Sequence, residues 1–251
     1  PMWVADMEIR CPQSVLDAMA KRVSHGVFGY GKVEDSYYEA FFAWQKKHHN
    51  MDIAKENVRF ATGVVGSLYA AVRAYTKEEE SVIICSPVYY PFYDAVLNSG
   101  RKLVTVELDN NDGYYTLDYE KFEKEIEDND VKLFILCSPH NPVCRVWTEE
   151  ELEKIFDICR RHGVLVVSDE IHQDFVFGDN KFVSSSNLKG GAYKDMLILL
   201  NSGSKTFNLA GLQVSTTVFP NAREKARFDR YWKNLEIHRN NAFSLVAMEA
   251  A

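Results

Sequence analysis

Six short apolar runs rich in Val, Ile and Leu recur along this chain, at 81–85, 102–106, 131–137, 164–168, 196–201 and 214–219. Runs of this length, apolar at nearly every position, are what strands buried on both faces require. Helical patterns lie between most of them. The clearest covers 148–162, where Leu152, Ile155, Phe156 and Cys159 fall at helical spacing behind a capping box of Thr148 and Glu151. Further helices are expected at 12–22, 36–48, 66–75, 91–98, 118–128 and 223–237. Strands alternating with helices make an α/β fold with a mostly parallel sheet. Asn110-Asn-Asp-Gly113 reads as a turn and Gly190-Gly191 as a loop, with no linker or internal repeat.

At 251 residues and 46% hydrophobic, the chain is long enough for a large domain with a real core. Its net charge of −7 lacks the basic footprint of a nucleic-acid binder. No apolar run reaches the roughly 18 residues of a membrane span. Cys11, Cys85, Cys137, Cys144 and Cys159 show neither metal-ligand nor disulfide-framework spacing, which fits a cytoplasmic protein. Pro1 opens abruptly in apolar sequence, and Ala251 closes inside a helical pattern beginning near Asn241. The chain reads as a fragment.

In an α/β sheet, functional groups gather where strands end and loops begin. The run 131–137 is followed by Ser138-Pro-His-Asn-Pro142, 164–167 by Ser168-Asp-Glu-Ile-His172, and 196–200 by Asn201-Ser-Gly-Ser-Lys-Thr-Phe-Asn208. Three strand ends would thus deliver Asn141, Asp169 and Lys205 to one edge. An amine that can form an imine, a carboxylate that can keep a ring nitrogen protonated and an amide that can bond a phenolic oxygen together suit a pyridine-aldehyde cofactor.

These segments, with Met2-Trp-Val-Ala-Asp-Met7 and Phe28-Gly-Tyr30, resemble fold-type I pyridoxal-phosphate enzymes of the aminotransferase class I/II family, in the cystathionine β-lyase branch known as the MalY/PatB group. The resemblance spans nearly the whole chain. It implies a three-layer large domain with a mostly parallel, seven-stranded type of sheet flanked by helices, a missing C-terminal small domain and pyridoxal 5'-phosphate as cofactor. By the same resemblance, Lys205 forms the Schiff base, Asp169 pairs with the ring nitrogen, Asn141 contacts the ring oxygen and Tyr89 stacks on the ring. Backbone N–H groups of Val64 and Val65 hold the phosphate, helped by the Ser202 hydroxyl and by Tyr30 of a neighbouring subunit in a homodimer. His172 stands near the ring oxygen, and Trp3, Ala5 and Asp6 lie near the substrate. Residues 1–30 would serve substrate and dimer contacts, and 31–251 would form the cofactor domain.

Two positions depart from the family pattern. Cys144 stands where glycine is usual, leaving a glycine-like turn to a residue with a side chain, and Gln213 stands where many aminotransferases carry a phosphate-binding arginine. The implied activity is release of a thiol, pyruvate and ammonia from a sulfur amino acid. An aminotransferase, or an inactive fragment with a binding role, shares the same motifs. Taken singly, each residue has a plainer reading: Lys205 a surface lysine, Asp169 a helix cap, Asn141 a turn former, and Tyr90 and Tyr93 core or interface aromatics. His25, His48, His49 and His162 read as surface or satisfied histidines, His140 as local structure, and no spacing among them indicates a metal.

Overall fold

A computed structural model describes residues 4–236 and 241–251. Its centre is a seven-stranded sheet built from β1 (Val58–Ala61), β2 (Ser81–Ser86), β3 (Lys102–Glu107), β6 (Val131–Cys137), β7 (Leu165–Asp169), β8 (Leu197–Asn201) and β9 (Ser215–Val218). The order across the sheet is β1-β9-β8-β7-β6-β2-β3. Pairing is parallel from β8 through β3, while β9 runs antiparallel to both its neighbours. All six runs anticipated from the sequence are strands, within two residues at each end.

Helices cover both faces, and strand alternation shows how. Along β6, Phe134 and Leu136 face one core, with α2 (Asp35–His49), α5 (Tyr119–Asp128) and α6 (Glu149–Arg161); Leu133, Ile135 and Cys137 face the other, with α3 (Val64–Tyr75), α4 (Pro91–Leu97) and α7 (Ala222–Asn234). The result is the three-layer arrangement. A smaller cluster of Val15, Leu209 and Ala247 joins α1 (Gln13–His25) to α8 (Ala242–Ala250) and to the loop after β8. The capping box on α6 is present, with Thr148 Oγ1 accepting from Glu151 N–H and Glu151 accepting from Thr148 N–H.

Three strands gave no apolar signal. β1 has four residues, one of them Arg59, whose side chain pairs with Asp229 of α7. β4 (Asp109–Asn111) and β5 (Tyr114–Thr116) form a polar hairpin around the anticipated turn, where Gly113 N–H donates to Asn110 Oδ1 at 2.8 Å. α3 starts two residues before Gly66, because Gly63 takes φ 109° and lets the chain turn directly into the helix. Position 237, the expected end of the 223–237 helix, falls outside the described residues. Among the described residues no helix is long and apolar enough to cross a membrane.

Candidate active site

The parallel register aligns the carboxyl ends of β6, β7 and β8: Cys137 pairs with Asp169, and Asp169 with Leu200. Backbone groups of the following loops then lock together. Ser138 N–H donates to Asp169 O at 3.0 Å, Glu170 N–H to Leu200 O at 2.9 Å, and Tyr89 N–H to Asn141 O at 3.0 Å. These bonds hold Tyr89, Asn141 and Asp169 around one cleft of about 450 Å³, and Lys205, His172, Val64, Val65 and Ala5 also line it. Its size is ordinary for a small-molecule site.

Asp169 is buried, at 5% exposure. Its Oδ1 accepts from Ile171 N–H at 3.1 Å, while Oδ2 accepts no hydrogen bond among the described residues. Burial, reinforced by the neighbouring Glu170 and opposed by the Ile171 bond, pushes its carboxyl up to about 7. A positive group in the cleft would relieve that cost. Lys205 makes no ion pair among the described residues, so its amine is uncommitted. The imidazole of His172 is pushed down to about 4, first by burial and then by the Lys205 charge, and is therefore neutral near pH 7. Burial also raises the Tyr89 phenol.

At the far side, α3 begins at Val64 behind Gly63, leaving the first N–H groups without intrahelical acceptors and no acidic side chain in the first turn. That end of the cleft suits an anion. The set therefore fits a flat group with a basic ring nitrogen at Asp169, an electrophile at Lys205 and an anionic arm at the start of α3.

Other residues named from the sequence lie elsewhere. Ser202 lines a neighbouring pocket instead, and its hydroxyl donates to Val214 O at 2.7 Å and accepts from Ser204 N–H at 3.0 Å. Tyr30 is 91% exposed and Asp6 is exposed, both outside the cleft lining, and Trp3 lies outside the described residues. One residue in the Lys205 turn had no assigned role. Asn208, at φ 57°, donates from Nδ2 to the carbonyls of Met7 and Ile9, both at 2.7 Å, and so brings the N-terminal segment to the cleft. An asparagine in a turn is too common for its sequence to reveal this tie.

Residues 5–236 match the family model described as aminotransferase class I and II. The chain is 39% identical over its whole length to cystathionine β-lyase PatB of Bacillus subtilis, covering 65% of that protein. It is 33% identical to protein MalY of Escherichia coli over 90% of its own length and 57% of MalY. The crystal structure of cystalysin from Treponema denticola, which contains a pyridoxal 5'-phosphate cofactor, superposes on the whole chain with a TM-score of 0.95 at 35% identity, and the chain covers 63% of it. The chain thus spans under two thirds of the length of these relatives.

Proposed function

The chain belongs to the class I and II aminotransferase family, and from that premise we propose that its protein is a pyridoxal-phosphate-dependent carbon–sulfur β-lyase of the cystathionine β-lyase type. The observation that carries the cofactor reading is the buried Asp169 carboxylate, with one oxygen that accepts no hydrogen bond among the described residues, in the same cleft as a Lys205 amine that makes no ion pair among them. The reaction type rests on the likeness to PatB, whose name is that of a cystathionine β-lyase.

The residues present fit the cofactor. Lys205 would hold its aldehyde carbon, Asp169 its ring nitrogen, Asn141 its ring oxygen and Tyr89 one ring face, with the phosphate on the N–H groups of Val64 and Val65. Bound there, pyridoxal phosphate supplies a sink for the negative charge that develops at the substrate α-carbon. Asp169 keeps the ring-nitrogen proton in place, because a buried carboxylate is stabilised by a cation beside it. Once the substrate amine has taken its place on the aldehyde carbon, the freed Lys205 amine would take the α-proton at Nζ, acting as general base in a partly desolvated cleft. The β-carbon–sulfur bond would then break with its electron pair on sulfur, and the leaving thiolate becomes a thiol by taking up a proton, for which the α-proton held on Lys205 Nζ is the source at hand. The remaining enamine hydrolyses to pyruvate and ammonia. Neutral His172 can offer a hydrogen bond near the ring oxygen without adding charge.

In this reading residues 1–30 serve substrate and dimer contacts and 31–251 hold the cofactor. Support comes from Ala5 in the cleft lining and from the tie between Asn208 and the 7–9 segment. Ser202 acts on the phosphate through the turn it braces, and Trp3 and Asp6 act on the substrate. The protein is a cytoplasmic homodimer, with Tyr30 serving the partner's phosphate. Five free cysteines fit a reducing compartment, and exposed Val23, Val27, Phe28 and Tyr30 fit a subunit contact.

Borohydride reduction after incubation with pyridoxal phosphate, followed by peptide mapping, tests the site: a single adduct on Lys205 is expected, and scattered adducts would reject it. Pyruvate released steadily from cystathionine would establish the lyase. Stoichiometric pyridoxamine phosphate without pyruvate would make the protein an aminotransferase.

A further inference from the structure

Lys205 sits on an irregular turn rather than on a strand or helix, so its aim into the cleft depends on what holds that turn. The residue after it is tethered from outside the cleft. Thr206 Oγ1 donates to Asp174 Oδ2 at 2.5 Å, while Asp174 Oδ1 accepts from His49 Nε2 at 2.7 Å and from Trp44 Nε1 at 3.3 Å. Three donors from two distant segments therefore converge on one carboxylate. Its side chain is 12% exposed and that of His49 is 6% exposed.

The anchors are themselves fixed. Trp44 and His49 stand on α2, and the Trp44 ring meets Phe207, two residues past the lysine, edge-on at 5.1 Å. His49 packs edge-on against Phe182 at 5.4 Å, and its carbonyl accepts from Asn187 Nδ2 at 2.9 Å. Burial acts to raise the Asp174 carboxyl, but the bonds from His49 and Thr206 outweigh it and hold it below the usual carboxylate range. It is thus an ionised acceptor, and charge-assisted bonds of this kind are strong and directional.

We propose that Asp174 is a positioning residue for Lys205, tying the lysine's turn to α2 through the Thr206 hydroxyl and so setting the aim of an amine it does not touch. Asp174 does not line the cleft, and its two oxygens face Trp44, His49 and Thr206 instead. This inference rests on the reading of Lys205 as the cofactor lysine. It extends that reading by placing part of the lysine's preorganisation in the polar cluster beneath α2.

The test uses Thr206→Val, which removes the donor at nearly constant shape and leaves Asp174 on His49 and Trp44, with Thr206→Ser restoring the hydroxyl. The readouts are the rate of reductive trapping of pyridoxal phosphate on Lys205, mapped by mass, and the thermal unfolding midpoint of the cofactor-free protein. Thr206→Val is expected to slow trapping about tenfold, the scale of one charge-assisted bond, and Thr206→Ser to return it to within about twofold. Trapping at the unaltered rate in Thr206→Val, whether or not the midpoint falls, would overturn the proposal and leave the cluster a stabilising role alone. Should Thr206→Val fail to fold, Trp44→Phe, which deletes the longest of the three bonds, must still slow trapping measurably, and no slowing would overturn it. Absence of a Lys205 adduct in the unaltered protein would instead reject the cofactor reading itself.

Discussion

Asn208 and Met7, 201 positions apart, hold each other by a reciprocal pair of hydrogen bonds: Asn208 Nδ2 donates to Met7 O at 2.7 Å, and Met7 N–H donates to Asn208 Oδ1 at 3.2 Å. One amide, three residues past Lys205, thereby carries the N-terminal segment to the cleft where Ala5 lies. Asn208 also adopts φ 57°, so its replacement can act through bonds or through backbone strain, and the two separate cleanly. Asn208→Gly keeps the left-handed backbone at no steric cost and loses the bonds, with a smaller added cost from the freer unfolded chain. It is expected to cost about 1–3 kcal/mol in urea unfolding and to raise KM for the amino-acid substrate more than it lowers kcat. An unchanged KM would remove the N-terminal segment from the substrate site.

Asp169 makes the cofactor-free protein sensitive to pH in a stated direction. Its folded value near 7 lies above the ordinary 3.8, so the folded state binds the extra proton between those values and the unfolded state does not. Its contribution to stability is therefore largest below about pH 4, falls as pH rises through 7 and is then constant. His172 and His140, both pushed down to about 4 by burial, act oppositely between pH 4 and 6.5, so only a difference isolates Asp169. Asp169→Asn should be more stable than the unaltered cofactor-free protein at pH 8, by up to about 4 kcal/mol, and the gap should close at pH 4. Denaturant melts at the two pH values check it, and a gap independent of pH would rule out the raised carboxyl. With the cofactor bound the order should reverse, because Asn cannot hold a cationic ring nitrogen by charge.

Cys144 bears out the reading of its position as a glycine-like turn: it is exposed, at φ 55°, and its thiol contacts Pro142 O at 3.4 Å. Cys144→Gly should stabilise the protein by about 1 kcal/mol, because the left-handed conformation penalises a Cβ by roughly that amount. Cys144→Ala keeps the Cβ and should gain nothing. Equal melting temperatures for the glycine and alanine variants would mean that the turn carries no strain.

The sheet and most helices were legible because burial on two faces leaves a continuous apolar mark: Ile83, Phe134, Val167 and Leu199 are all fully or almost fully buried. β1 and the β4–β5 hairpin left none, since a strand with Arg59 paired to Asp229, or one made of Asp109-Asn-Asn111, is held by partners that its own residues do not name. The same division runs through the site. Asp169 ends β7, and Asn141 and Lys205 follow the ends of β6 and β8; each alone has a plainer reading, and it was their arrival together at one sheet edge that made them legible. Asp174, His49 and Trp44 meet only through folding across 125 and 130 positions, and each reads as an ordinary helix or loop residue. Ser202 was expected, through the resemblance, to give its hydroxyl to the phosphate, and nothing in the sequence revealed the commitment of its proton to Val214 O.

Gln213 gives the sharpest test of where the phosphate lies. It lines the cleft at φ 54°, and its Nε2 is spent on Ala210 O at 3.1 Å. Its Oε1 stands so close to Gly63 that a Cβ there would lie 3.3 Å away, so the side chain borders the start of α3. An anion bound on Val64 and Val65 would receive helix N–H groups but no positive charge from this neighbour. Gln213→Arg supplies that charge and should tighten pyridoxal-phosphate binding about tenfold, a typical gain from one partly buried ion pair. The gain should shrink as salt is raised from about 0.05 to 0.5 M, since a partly exposed pair is screened. Equilibrium titration followed by the cofactor's absorbance measures both quantities. Pyridoxal without its phosphate should show no gain, and an equal gain for both aldehydes would move the phosphate away from α3.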